Sequence, residues 1–164
     1  MAIILQRPDP APVLRLQTLG GLSIQADDRT SLATIQRRRL ALLALLARCG
    51  DRAITRDKIL GYLWPESEPE KARNVLAQAL YALRRDLGAE QLFLGTTELR
   101  LNPEVLTSDA AEFEAALGGG QLERAVGLYR GPFLDGFYIN EAPEFERWVE
   151  NQRADLAQAF VGTL

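Results

Sequence analysis

The stretch Glu70–Gly88, EKARNVLAQALYALRRDLG, decides the fold of this 164-residue chain. Its apolar residues recur at the three-and-four spacing of one buried helix face; they are Ala72, Val75, Leu76, Ala79, Leu80, Leu83 and Leu87. At ~100° per residue the opposite face collects polar side chains. They are Lys71, Asn74, Gln78, Tyr81 and Arg85, with Arg73 and Arg84 on one flank. The stretch predicts a long amphipathic helix whose outer face has no acidic residue between Asn74 and Arg85.

The outer face of this helix has the side chains that duplex DNA requires. Asn, Gln and Arg can hydrogen-bond base edges in the major groove, and Lys and Arg neutralise phosphates. An ordinary amphipathic helix with a solvated polar face would look the same when taken alone. The flanking sequence therefore has to decide between the two interpretations.

Two helices precede this one, and short alternating segments flank the set. The first helix is expected from Ile35 or Gln36 to about Arg48 and is apolar on most of its circumference. The second is expected from its N-cap Thr55 to about Trp64. Segments 14–25 (LRLQTLGGLSIQ) and 92–102 (LFLGTTELRLN) predict hairpins, and residues 31–34 predict a short third strand. This order predicts a winged helix-turn-helix, with the last hairpin as the wing.

Basic residues accumulate where the first helix begins. Arg37, Arg38 and Arg39 lie in its first turn, where the helix dipole disfavours cations. An anion such as a DNA phosphate would offset that penalty, although a solvated basic cluster remains the alternative. In the predicted wing, Arg100 is the one basic residue and could touch a phosphate or the minor groove.

The charge of the chain is divided unevenly along its length. The net charge is −3, but residues 1–103 hold 15 Lys and Arg against 11 Asp and Glu, a net +4. Residues 104–164 hold 4 against 11, a net −7. This division predicts a DNA-binding domain over 13–103 and a second module over 104–164. Pro8, Pro10 and Pro12 predict a disordered leader over 1–12.

Motifs in the three predicted helices, taken together, resemble those of a known protein family. They are RRRLALLALLA in helix one, IL-x-x-LW in helix two and A-x-x-x-L-x-x-A-L-x-x-LR-x-x-LG in helix three. Together they resemble the DNA-binding domain of OmpR-type response regulators, and more closely its variant in SARP-type antibiotic regulatory proteins. The resemblance covers residues 13–103.

The remaining residues resemble the start of the bacterial transcriptional activator domain, which follows the winged helix in SARP-type regulators. The segments are D-x-x-x-F, A-x-x-LY-x-G-x-FL and FE-x-WVE-x-x-R-x-x-L. The resemblance implies an all-α, tetratricopeptide-like array. The chain ends after about three such helices, so we expect either an excised fragment or a naturally short member. The expected fold class is α+β, a winged helix-turn-helix followed by a helical segment.

Residue types argue against catalysis. The chain has no histidine, and its one cysteine, Cys49, cannot form a cysteine cluster or an intramolecular disulfide. No phosphate-binding glycine motif is present. We therefore expect no enzyme activity, no cofactor and no metal. No apolar run is long enough to span a membrane, and a cytoplasmic location is expected.

The sequence predicts a sequence-specific transcriptional regulator with the Glu70–Gly88 helix in the major groove of promoter DNA. The expected base contacts are Asn74, Gln78, Tyr81 and Arg85. The expected phosphate contacts are Arg37, Arg38, Arg39, Lys71, Arg73, Arg84 and Arg100. The family resemblance implies an activator that recruits RNA polymerase and binds direct repeats, which would place a homodimer on DNA. The alternative is a protein-interaction module that docks a partner through the winged helix and the acidic tail.

Overall fold

The computed structural model describes residues 14–26 and 35–164 of the chain. The predicted leader and the predicted strand at residues 31–34 lie outside these ranges. The described elements, in chain order, are β1 (Leu14–Gln17), β2 (Ser23–Ala26), α1 (Arg37–Cys49), β3 (Ile54–Thr55), α2 (Arg56–Leu63), α3 (Pro69–Asp86), β4 (Phe93–Leu94), β5 (Glu98–Leu101), β6 (Leu106–Ser108), α4 (Asp109–Gly118), α5 (Leu122–Leu128) and α6 (Pro143–Val161).

Burial, a capping hydroxyl and a terminal glycine explain the positions of the three helices of the first module. The run Ala41–Leu46 is entirely buried, so α1 is the central helix of this module. The Thr55 hydroxyl caps α2 by accepting a hydrogen bond from the Lys58 N–H at 3.2 Å. Helix α3 starts at Pro69, and Gly88 follows its end with φ +62°, a conformation that glycine adopts at little cost.

Two small sheets frame these helices. In the first, β1 pairs antiparallel with β2 and parallel with β6. In the second, β5 pairs antiparallel with both β3 and β4 and forms the wing. The predicted hairpins are thus present, while β3 and β6 were not predicted. Strand β6 lies beyond the expected boundary at residue 103, so the second module supplies an edge of the first module's sheet.

The second module packs α4, α6 and the loop before α6 against the first. Phe113, Phe133 and Phe145 are completely buried in a core that is continuous with that of the winged helix. Arg15 on β1 forms a salt bridge with Glu112 on α4 at 2.8 Å. The described residues therefore form a winged helix-turn-helix followed by a helical segment, and the predicted fold class is confirmed.

A buried carboxylate joins the two modules. Asp109, at the start of α4, is only 4% exposed. Its Oδ1 accepts hydrogen bonds from the Thr18 N–H at 2.8 Å, the Thr18 hydroxyl at 2.7 Å and the Ala110 N–H at 2.8 Å. Its Oδ2 accepts from the Leu19 N–H at 2.9 Å. The carboxylate thereby satisfies backbone donors just beyond β1 that no strand partner reaches.

Replacing this carboxylate should destabilise the protein strongly. Asp109→Ala leaves buried N–H groups without acceptors, so the free energy of unfolding should fall by ~3 kcal/mol or more. Urea denaturation followed by circular dichroism measures the change. The exposed Asp135→Ala, on the loop before α6, is the matched control and should change stability by less than ~0.5 kcal/mol. Equal effects of the two substitutions would contradict the role given to Asp109.

Candidate nucleic-acid interface

The polar face of α3 is exposed as its sequence predicts. Six predicted contact residues lie on the surface; they are Lys71, Arg73, Asn74, Gln78, Tyr81 and Arg85. The opposite face, including Leu76, Leu80 and Leu83, is buried against the core. Packing of one face thus holds the other outward and fixes the positions of its donors.

Tyr81 and Arg85 form a pair one turn apart on this face. Tyr81 is 63% exposed, and the guanidinium carbon of Arg85 lies 5.8 Å from the centre of its ring. Arg85 Nε donates to the Asp86 carboxylate at 3.1 Å. That bond occupies one edge of the guanidinium, and both Nη atoms remain able to donate to a base or a phosphate.

Apart from Asp86 at its last residue, the carboxylates of α3 lie at its beginning. Glu66 and Glu68 in the preceding turn and Glu70 in the first turn are all exposed. They suit the positive end of the helix dipole but would repel phosphate. The usable cationic surface therefore begins at Lys71.

An open groove of about 520 Å³ separates the start of α1 from the middle of α3. It is lined by Gln36, Arg37, Arg38, Arg39, Trp64, Val75, Gln78 and Ala79. The groove brings Arg39 beside Gln78, two predicted contacts that are 39 positions apart. Within residues 14–26 and 35–164, the Arg39 side chain makes no hydrogen bond or salt bridge.

Arg37 and Arg38 are engaged with other parts of the protein. Arg37 donates from Nε at 3.0 Å and from Nη2 at 2.7 Å to the carbonyl oxygen of Tyr138. Arg38 donates from Nη1 to the carbonyl of Leu63 and from Nη2, at 2.9 Å, to that of Asn140. Their contact with phosphate stays a prediction, and the acceptors observed here are backbone oxygens.

One cation that the sequence did not predict contacts the wing turn from α2. Arg56, the first residue of α2, donates from Nε to the carbonyl oxygen of Thr96 in the wing turn at 2.6 Å. The turn is tight at Gly95, where φ is +94° and a Cβ would lie 2.0 Å from the carbonyl oxygen of Glu98. Arg100 on β5 is half-buried. No local signal places Arg56 here, because the pairing of β3 with β5 joins segments some 40 residues apart.

Arg84 connects the polar face of α3 to the wing hairpin. It is half-buried, and its guanidinium carbon lies 5.5 Å from the centre of the Phe93 ring on β4. This cation–π contact holds the end of α3 against the wing. Arg84 is therefore restrained at the edge of the exposed face.

A second cleft, of about 620 Å³, lies between the winged helix and α6. Arg48 crosses it and hydrogen-bonds Gln152 at 3.0 Å and Glu114. Cys49 lines the cleft and is half-buried, and this burial raises the pKa of its thiol. Among the described residues, no group of three or more His, Cys, Asp or Glu could hold a metal ion, and no helix could cross a membrane.

The raised pKa of Cys49 should slow its alkylation. A higher pKa leaves less thiolate at pH 8, and the thiolate is the nucleophile. We expect iodoacetamide to modify native Cys49 more slowly than the same residue in 8 M urea. Mass spectrometry over time measures both rates. Equal rates in the two states would show that the thiol is freely accessible and unperturbed.

Comparison with known proteins agrees with this geometry. Residues 30–98 match the family described as transcriptional regulatory protein, C terminal. The solved structure of Mycobacterium tuberculosis EmbR in complex with a low-affinity phosphopeptide is similar, with 25% identity and a TM-score of 0.66. The similarity covers 90% of this chain and 43% of the EmbR chain, so this chain spans less than half of that length. Comparison with curated protein sequences gave no match.

Residues 30–98 thus carry an OmpR-type winged-helix DNA-binding domain of the kind found in transcriptional regulators. Together with the EmbR-like fold, this match confirms the resemblance of the chain to SARP-type regulators.

Proposed function

We propose that this protein binds promoter DNA in a sequence-specific manner through α3 and activates transcription. The observation that carries the proposal is the exposed face of α3, which has base-reading and cationic side chains and no carboxylate from Asn74 to Arg85. A helix of 18 residues is long enough to lie in the major groove, whose width admits one α-helix.

Four side chains of α3 would contact base edges. Asn74 and Gln78 are exposed one turn apart, and an Asn or Gln amide can pair bidentately with adenine. Arg85 has both Nη atoms available for guanine O6 and N7. Tyr81 lies between Gln78 and Arg85, and its ring would contact a thymine methyl group.

A ring of cations around this face would contact phosphates. Its proposed members are Arg39, Arg56, Lys71, Arg73, Arg84 and Arg100. Arg39 lies across the groove from α3, Arg100 lies on the wing, and Arg56 at the start of α2 contacts the wing turn. Phosphate contacts of this kind fix the register of the helix but read no sequence.

The resemblance to SARP-type regulators supports the remaining parts of the proposal. They are activation through RNA polymerase, binding to direct repeats as a homodimer, and action in the bacterial cytoplasm. The acidic second module is the part that we assign to polymerase contact. Its net charge of −7 would also repel phosphate and so keep DNA on the α3 side of the molecule.

A protein-interaction module is the alternative. EmbR, which contains a region of this fold, was solved in complex with a phosphopeptide. The part of EmbR that this chain resembles is 43% of its length. The acid-free face of α3 favours DNA over a peptide for the winged helix.

Fluorescence anisotropy across a salt series tests the proposal. Duplexes selected from a random library and the promoter region upstream of the protein's own gene are the ligands, with scrambled duplexes as controls. We expect a specific duplex to bind at least ~10³-fold tighter than scrambled DNA. Affinity should fall steeply with salt because bound phosphates release counterions. Sequence-blind or absent binding at low salt would favour the interaction module.

Removing Arg85 should relax recognition at one position of the site. Arg85→Ala should cost ~1–3 kcal/mol on the preferred duplex and little on the duplex that carries a substitution at the base pair Arg85 reads. The exposed Arg124→Ala on α5 is the control and should bind as wild type. A loss of equal size on every duplex would assign Arg85 to phosphate instead.

A further inference from the structure

We infer that Arg37 and Arg38 are positioning residues, through which the second module holds the helix-turn-helix in its DNA-binding geometry. This inference rests on the proposed function and concerns two residues that the sequence assigned to phosphate. Its basis is the identity of their acceptors. Both guanidinium groups donate to backbone carbonyls of the loop that precedes α6, and one also donates to the end of α2.

Arg38 connects the two modules directly. Its Nη2 donates to the Asn140 carbonyl, and its Nη1 donates to the carbonyl of Leu63, the last residue of α2. The carbonyl end of a helix is its negative pole, so a cation there is favourable. The turn to α3 begins at the next residue. Arg38 therefore restrains the point from which the recognition helix departs.

Arg37 holds the same loop through two further contacts. Two of its N–H groups converge on the Tyr138 carbonyl, and its guanidinium carbon lies 4.9 Å from the centre of the Phe137 ring. A planar guanidinium can make both contacts at once, whereas a lysine ammonium cannot. The pair thus forms a forked clamp with a fixed geometry.

The loop is itself rigidly attached to the second module, which the clamp requires. The Ile139 N–H donates to the Glu146 carboxylate on α6 at 3.0 Å, and Ile139 is buried. Arg153 on α6 donates to the Phe133 carbonyl at 3.0 Å. Leu134 has φ +50°, a conformation that non-glycine residues keep only where the surroundings impose it.

Ring packing between α2 and α6 provides a second joint beside the clamp. The Tyr62 and Trp148 rings lie with their centres 6.4 Å apart. Helix α2 is thus held by α6 along its side and by Arg38 at its end. A shift of the second module would move α2, and α3 would move with it.

The salt dependence of DNA binding separates a positioning residue from a phosphate contact. The slope of log K against log salt is negative, and removing one phosphate contact makes it shallower by about 0.9. We expect Arg37→Ala and Arg38→Ala to weaken specific binding about tenfold while leaving the slope and the binding of scrambled DNA unchanged. Arg39→Ala, at the adjacent position, is the matched control and should make the slope shallower by about 0.9 on both duplexes.

Phe137→Leu tests the clamp from the other module without removing any charge. It should weaken specific binding about threefold with an unchanged slope. Arg38→Lys keeps the charge but loses the forked guanidinium, so it should weaken specific binding about as much as Arg38→Ala does. Thermal unfolding confirms that each variant is folded.

Hydrogen exchange supplies a readout that does not depend on DNA. In Arg38→Ala and Phe137→Leu, the amides of residues 60–68 should exchange faster than in wild type, while those of α5 should not change. A shallower slope for Arg37→Ala or Arg38→Ala would overturn the inference. So would wild-type DNA binding and wild-type hydrogen exchange in all these variants. Failure of wild-type protein to bind any duplex specifically would instead refute the proposed function, and the exchange result would still decide the role of the clamp.

Discussion

The buried carboxylate of Asp109 is the constraint on which the arrangement of the two modules depends. A carboxylate taken out of water is costly unless it is fully hydrogen-bonded, and this one meets four donors from Thr18, Leu19 and Ala110. Those donors belong to segments about 90 positions apart. The end of β1 and the start of α4 therefore lie together, and β6, immediately before Asp109, is brought alongside β1.

This junction changes how the charge division of the chain is understood. The sequence alone suggests two separate modules, one basic and one acidic. In the structure they share a sheet and a core, so the two sets of charges are held in a fixed arrangement. The α3 side carries cations around an acid-free face, while exposed carboxylates such as Glu144 and Glu150 lie on α6. A fixed arrangement of charge can orient a protein toward a polyanion before contact.

Local patterns predicted the helices well because their causes are local. Apolar spacing located α1 and α3, the Thr55 cap located α2, and Gly88 located the end of α3. The strands β3 and β6 have two and three residues, too few for an alternating pattern to stand out. Their existence depends on partners more than 40 positions away, and the contact of Arg56 with the wing turn likewise joins residues 40 positions apart. The exposed residues of α3 could be predicted from helical angle, whereas the acceptors of Arg37 and Arg38 could not.

The three arginines that begin α1 show why residue type alone does not assign a role. Cations in the first turn of a helix are disfavoured by its dipole, which predicts that something negative lies nearby. A DNA phosphate would satisfy that requirement, but the carbonyls of Leu63, Tyr138 and Asn140 already do so for two of the three. Arg39 has no such acceptor in the described part of the chain and faces the groove beside α3. Adjacent residues of one type thus differ in their contacts, and the difference follows from which backbone acceptors the fold places within their reach.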